Sequence, residues 1–140
     1  MQVSQVRESI AAFGPRYVER IYTAGEAVDT GGSPARLAAR FAAKEATLKV
    51  LASNDRGVDF RSIEIVRSET GAPRLVLRGT ARDLACEAGL HHFEVSLSHD
   101  GEYATAIVLA EGLEFPTNRR ARSRHASRML AKTRRARDRE

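Results

Sequence analysis

Helix and strand signals barely interleave in this chain, and that order limits the folds open to it. The helical signals come first, up to about Ala52. A strand, a strand, a helix, a strand and a strand follow. A βαβ repeat with a parallel sheet would alternate the two types throughout. This order instead points to an α+β domain with a mostly antiparallel sheet packed against a long helix. Residues 3–13, VSQVRESIAAF, place Val6, Ile10 and Phe13 on one helical face, and Gly14-Pro15 stops that helix. PRYVERIY is a second short helical piece, with Tyr17 and Ile21 one turn apart. TAGEAVDTGGS reads as a loop. Ser33 suits an N-cap and Pro34 a first helical position, so the main helix opens there and runs to about Ala52.

RSIEIVR (61–67) reads as a strand, GAP (71–73) as a turn and RLVLR (74–78) as the next strand. Thr80 and Asp83 have capping-box spacing, and the helix they open ends at Gly89. FEVSLSH (93–99) alternates apolar and polar, DGE is a hairpin turn signal, and YATAIVLA (103–110) is the returning strand.

A length of 140 residues suits one domain with a real core. The chain has no Trp, so the core must come from Ala, Val, Leu and Ile. No apolar run approaches the ~20 residues that span a bilayer, and MQVSQVRESI is no secretory signal. Cys86 is the only cysteine, which excludes an internal disulfide; a small packed side chain is the expectation for it. These features fit a cytoplasmic protein. The net charge of +5 is unevenly spread. Residues 117–140 hold 10 of the 23 Lys+Arg and 2 of the 18 Asp+Glu, so the rest is mildly acidic, at −3.

Three short stretches carry chemistry. In RFAAKEATLK (40–49), Phe41, Glu45 and Lys49 fall at i, i+4 and i+8 on one helical stripe. Spacing alone makes this a solvated face with a supporting Glu–Lys pair worth ~0.3–0.5 kcal/mol. In SLSHD (96–100), His99 ends a strand beside a turn, where a structural role is the ordinary one. TGAPR (70–74) is a turn whose backbone N–H groups could face an anion.

Together and in this order, the Arg-Phe-x-x-Lys-Glu-Ala-x-x-Lys helix, the Gly-x-Pro turn and Ser-Leu-Ser-His resemble the holo-acyl-carrier-protein synthases. These are the short members of the 4′-phosphopantetheinyl transferase superfamily. The resemblance covers residues 1 to about 112, including YVERIYTAGE. It implies that fold, and transfer of the phosphopantetheine arm of coenzyme A to a serine of apo-acyl-carrier protein, with release of adenosine 3′,5′-bisphosphate. Such phosphoryl chemistry rests on positioning and charge neutralisation, so Mg²⁺ and cationic side chains recur.

By the resemblance, Glu45 is a metal ligand and helps deprotonate the serine. Lys49, Arg40 and Phe41 line the coenzyme A site, and Gly71 to Pro73 approach the nucleotide end. His99 binds the pyrophosphate region or assists proton movement. The family often has a basic residue between that Gly and Pro. Ala72 stands there in this chain, and Arg74 is a candidate substitute. Arg7, Arg16 and Arg20 are candidates for contact with an acidic carrier protein. The resemblance also implies a homotrimer with active sites between protomers, so the helix need not meet the GAP and SLSH elements within one chain.

The family's second metal ligand is an Asp at the end of a first strand, and its expected position lies upstream of Met1. A start codon placed too far downstream would explain this; a truly short, weakened enzyme is the rival. A non-catalytic relative that binds coenzyme A or a carrier protein is therefore an alternative function. The basic residues 113–140 are expected to form a solvated extension. Residues 117–140 carry a net +8 and suggest nucleic-acid binding as a third reading, but they hold no aromatic residue for base stacking, which argues against it. The carrier served, fatty-acid or polyketide, is open.

Overall fold

The computed structural model describes residues 1–53 and 56–112. Four helices come first: α1 (Val3–Phe13), α2 (Pro15–Ile21), α3 (Ala24–Thr30) and α4 (Pro34–Val50). A 3₁₀ turn at Phe60–Ser62 leads into β1 (Ile63–Arg67), then β2 (Pro73–Leu77), α5 (Gly79–Glu87), β3 (Leu90–Asp100) and β4 (Tyr103–Gly112). The α+β order read from the sequence is the order observed. The strands form two antiparallel ladders, β1–β2 and β3–β4, rather than one continuous sheet. β2 packs against β3 without a backbone ladder between them.

α4 organises the rest. The Ser33 hydroxyl accepts from the Arg36 N–H at 3.5 Å, and Pro34 takes the first turn, where no donor is needed. Leu37, Ala38 and Ala39 are buried in one core cluster with Val3, Val6, Tyr22 and Ala104. Ala43 and Leu51 belong to a second cluster with Ile63, Ile65, Ala81, Leu84 and Ala85. One helix is thus the wall of both cores. Its alanines have a purpose: a side chain of one carbon lets α4 lie close against β4, which packs along it.

Several local expectations are corrected. The TAGEAVDTGGS segment is mostly helical, because Thr23 and Glu26 form a capping box: the Thr23 hydroxyl accepts from the Glu26 N–H, and Glu26 accepts from the Thr23 N–H. At α5 the expected Thr80–Asp83 box is absent; the helix begins one residue early, at Gly79, after an uncapped Arg78. Phe13 is 67% exposed rather than buried. The inward stripe of α1 is Val3, Val6 and Ile10; Phe13 is the last residue of the helix, which Gly14 ends directly after it at φ +59°, a conformation open to glycine. Cys86 is exposed, on the outer side of α5 from Ala81, Leu84 and Ala85.

Candidate active site

At about 100° per residue, α4 presents its charged residues to opposite sides. Arg36 and Arg40 are one turn apart and share a face. Glu45 lies about 140° round the axis from Arg40, and Lys49 about 180° from it. Phe41 falls between, about 40° from Glu45.

The Arg face opens into a cleft of about 280 Å³ lined by Arg36, Ala39, Arg40, Ile65, Arg67, Gly71, Pro73, Leu97 and His99. Four residues singled out in three separate stretches of sequence therefore meet within one chain: Arg40 from the helix, Gly71 and Pro73 from the turn, His99 from the strand end. The sequence left open whether the helix meets the other two elements within one chain; for Arg40 it does. The question stands open for Glu45 and Lys49, which do not line the cleft. His99 reaches it because Phe93, Val95, Leu97 and His99 share the inward parity of β3, opposite Ala110, Val108, Ala106 and Ala104 on β4. Gly71 adopts φ +83° in the turn, and its N–H donates to the Ser68 carbonyl at 2.9 Å. That donor is committed to the turn and does not face an anion.

The cleft's charge is set by a polar network that sequence reasoning missed. Arg40 is 3% exposed and ion-paired to Asp29; the other Asp29 oxygen accepts from Arg67 Nε at 3.2 Å. Arg40 Nε itself is buried with no partner among the described residues. Burial pulls the Arg40 guanidinium below its ordinary pKa, Arg67 pushes the same way, and Glu26 opposes them. Arg67 reaches the cleft because it stands opposite Pro73 in the β1–β2 ladder. Arg74, the substitute that the sequence suggested for a basic residue at position 72, is exposed and lines no part of the cleft.

Beside the cleft, Lys44 is fully buried. Its Nζ donates to Glu26 Oε2 at 2.8 Å, to the Phe60 carbonyl at 3.0 Å and to the Ile63 carbonyl, and sits 5.7 Å from the Tyr22 ring centre. Glu26 also accepts from the Ile65 N–H at 3.0 Å. This one ion pair ties α3, α4 and β1 together. The Thr23-x-x-Glu26 spacing was the available signal for Glu26. The signal for Arg36 was its place one turn before Arg40.

On the other face, Glu45 and Lys49 are exposed, and no ion pair joins them, contrary to the spacing argument. Phe41 is half-buried and stacked on Phe60, ring centres 5.4 Å apart. Among the described residues no three His, Cys, Asp or Glu side chains cluster as a metal cage. Arg16 and Arg20 are exposed on α2, and Arg7 is exposed on α1 with Glu102 at 3.8 Å.

Comparison with known proteins places this geometry. The family model of the 4′-phosphopantetheinyl transferase superfamily matches residues 1–108. The holo-[acyl-carrier-protein] synthase of Moorella thermoacetica is 40% identical over 114 residues, covering 79% of this chain and 88% of the relative. That of Herpetosiphon aurantiacus is 34% identical over 119 residues, covering 80% and 94%. Among solved structures, the Chronobacterium ammoniagenes ACPS–CoA complex superimposes with a TM-score of 0.70 at 27% identity, covering 81% of this chain and 93% of that one. The shared fold, the matched length and the shared residues agree: the chain belongs to the 4′-phosphopantetheinyl transferase superfamily, as an enzyme of the holo-[acyl-carrier-protein] synthase type.

Proposed function

We propose that this enzyme transfers the 4′-phosphopantetheine arm of coenzyme A to a serine of apo-acyl-carrier protein and releases adenosine 3′,5′-bisphosphate. The observation that carries the proposal is the cleft in which Arg40, Gly71, Pro73 and His99 meet. A guanidinium, an imidazole and a small-residue turn in one hollow suit a phosphorylated nucleotide. Residues 1–112 form the catalytic domain in this reading; the basic residues 113–140 lie outside the described residues.

Glu45 is the metal ligand among the described residues. Its carboxylate is exposed and makes no ion pair among the described residues, and it would hold Mg²⁺ together with the substrate phosphates. Mg²⁺ in such a site neutralises charge that builds on the phosphoryl oxygens. Lys49 adds a cation one turn along the same stripe. An Asp preceding Met1 is the proposed second ligand. Met1 and Ala104 exchange backbone hydrogen bonds at 3.2 and 3.0 Å, so antiparallel pairing would run any preceding residues along the edge of β4. An upstream reading frame without an in-frame Asp removes that ligand.

The active unit is proposed to be a homotrimer. Tyr103, Ile107 and Leu109 are 60–64% exposed on the outer face of β4, an apolar row that an isolated chain leaves in water. In this reading a neighbour covers that row, and the site of one chain is completed by Glu45 and Lys49 of another, since they do not line the cleft of their own chain. Arg16 and Arg20, with Arg7, offer the cationic surface for an acidic carrier protein. Among the described residues no helix is long and apolar enough to cross a membrane, and a cytoplasmic role in fatty-acid or polyketide synthesis follows from this reading.

The test is incubation with apo-carrier protein, coenzyme A and Mg²⁺, with the arm detected on the carrier by intact mass. Modification that stops on chelation of the metal supports the proposal. Coenzyme A binding without transfer, from a chain that includes the upstream residues, supports a non-catalytic relative instead.

A further inference from the structure

We propose that the basic segment 117–140 docks on its own domain, in the groove between α5 and residues 56–58. Its arginines meet Asp83 and Glu87, and its Met129-Leu130 pair covers Leu84 and Val58. The groove shares no residue with the cleft of Arg40 and His99. The inference goes beyond the transferase reading and stands independently of it.

The groove has a volume of about 220 Å³. Thr80, Asp83, Leu84 and Glu87 line one side, and residues 56–58 line the other. Positions 80, 83, 84 and 87 form one stripe of α5, so the groove follows the helix for ~10 Å. Its floor is apolar: Leu84 is buried and Val58 half-buried. Asp83 and Glu87 stand exposed at its rim, one turn apart. Arg56 meets Glu87 at 2.8 Å, while Asp83 makes no ion pair among the described residues. The last turn of α5 holds no basic residue, so Glu87 lies at the negative end of the helix dipole. Further cations are what this face lacks.

Position and charge single out the occupant. The described residues end at Gly112, against the C-terminal end of α5. A Cβ on Gly112 would stand 2.7 Å from the carbonyl oxygen of Gly89, two residues beyond Glu87. An extended chain covers ~3.3 Å per residue, so the seven steps from Gly112 to Arg119 span up to about 23 Å. The nine residues of α5 are only ~13 Å long. Arg119 and Arg120 can therefore reach Asp83, and Met129-Leu130 can reach any point of the groove. Residues 117–140 hold 10 Lys+Arg against 2 Asp+Glu, and Met129 and Leu130 are their only large apolar residues. A small apolar floor between two carboxylates is the complement of a small apolar pair among arginines. The tether also raises the effective concentration to the order of millimolar, so contacts too weak for a free peptide suffice here. Only two carboxylates are met. Most of the segment's +8 stays unneutralised and is held on the α5 side as a fixed cationic surface.

The test places a nitroxide on Cys86, the only cysteine, which is exposed on α5 next to Glu87. Paramagnetic broadening of backbone amides is then read by NMR in the ¹⁵N-enriched full chain. At low ionic strength the amides near Arg119 and near Met129 are expected to lose most of their intensity relative to the reduced label. They should regain it at about 1 M salt, where the Debye length is about 3 Å. D83N/E87Q should restore the intensity at low salt, and M129S/L130S should restore it in part. Both variants change exposed carboxylates or the tail alone, and the remaining amide spectrum of the domain should stay as in the parent. Full tail intensity in the labelled parent at low salt overturns the proposal and leaves the tail to a partner such as a nucleic acid. So does broadening that both variants leave unchanged, which puts the contact outside the groove. Broadening that appears only when labelled chain without ¹⁵N is mixed with unlabelled ¹⁵N chain also overturns it, and makes the tail a ligand of a second copy.

Discussion

Replacing Lys44 by Met should cost this fold about 3–5 kcal/mol. The substitution keeps the length of the side chain and removes its charge. In the parent, Lys44 and Glu26 are both fully buried with 2.8 Å between Nζ and Oε2. In K44M, Glu26 keeps two backbone donors, the N–H groups of Thr23 and Ile65, each at 3.0 Å. It loses its only cation among the described residues, while the carbonyls of Phe60 and Ile63 lose a donor. An uncompensated buried carboxylate sets the scale of the penalty, and the two carbonyls add to it. A loss of that size is a large share of the 5–15 kcal/mol typical of a domain. Urea denaturation followed by far-UV circular dichroism measures it, as a fall in midpoint at constant slope. The double variant E26Q/K44M removes both charges of this pair and should recover about 1–2 kcal/mol of the loss. The reasoning fails if K44M stays within about 0.5 kcal/mol of the parent, or if the double variant is no more stable than K44M.

E45Q should lower kcat for transfer by about 10²-fold or more at saturating Mg²⁺, while its denaturation midpoint stays where it was, since Glu45 is exposed and makes no ion pair among the described residues. R16E/R20E should raise KM for the carrier protein about tenfold and flatten its salt dependence, with kcat held; unchanged salt dependence would remove α2 from the docking surface. Burial raises the pKa of Glu64, but hydrogen bonds from Arg78 and Thr23 and the charges of Arg78 and Lys44 outweigh it and hold the carboxyl below its ordinary 4.5. Its contribution is therefore complete above that value and is lost as pH falls through the depressed one, so R78Q should move the acid-unfolding midpoint upward in pH. Ala52 ends α4 at φ +47°, and A52G should stabilise the protein by about 1 kcal/mol in the same urea assay.

The legible parts of this chain were those with local signals. Ser33-Pro34 marked the start of α4 correctly, and the alternation of 93–99 and 103–110 marked both the hairpin and the side on which His99 lies. Arg40, Gly71, Pro73 and His99 were named from sequence, and the structure gathers them in one cleft. The residues missed are those whose neighbours are distant in the chain. Glu26 looked like part of a loop because its partner, Lys44, is 18 residues away, and nothing local set Lys44 apart for the same reason. Arg67 read as a strand end, since only the register opposite Pro73 brings it to the turn. The Glu45–Lys49 pair failed in the other direction. Its spacing permits contact, but on an exposed face nothing holds two long side chains together.

The opposed faces of α4 give its buried side a mechanical meaning. A rigid helix cannot move Arg40 without moving Glu45. At a side-chain radius of about 5–6 Å, a roll of about 10° carries both tips by ~1 Å in nearly opposite directions. In an assembly where each face serves a different site, such a roll misaligns two sites at once, and ~1 Å can cost about 10² in rate. The groups that resist the roll touch no substrate: three buried alanines that leave no slack against β4, and the Lys44 ammonium held by α3 and β1. Packing on the inside of α4 thereby sets the timing of chemistry on its outside, and a substitution as small as one methyl group at Ala38, Ala39 or Ala43 is a catalytic change as much as a stability change.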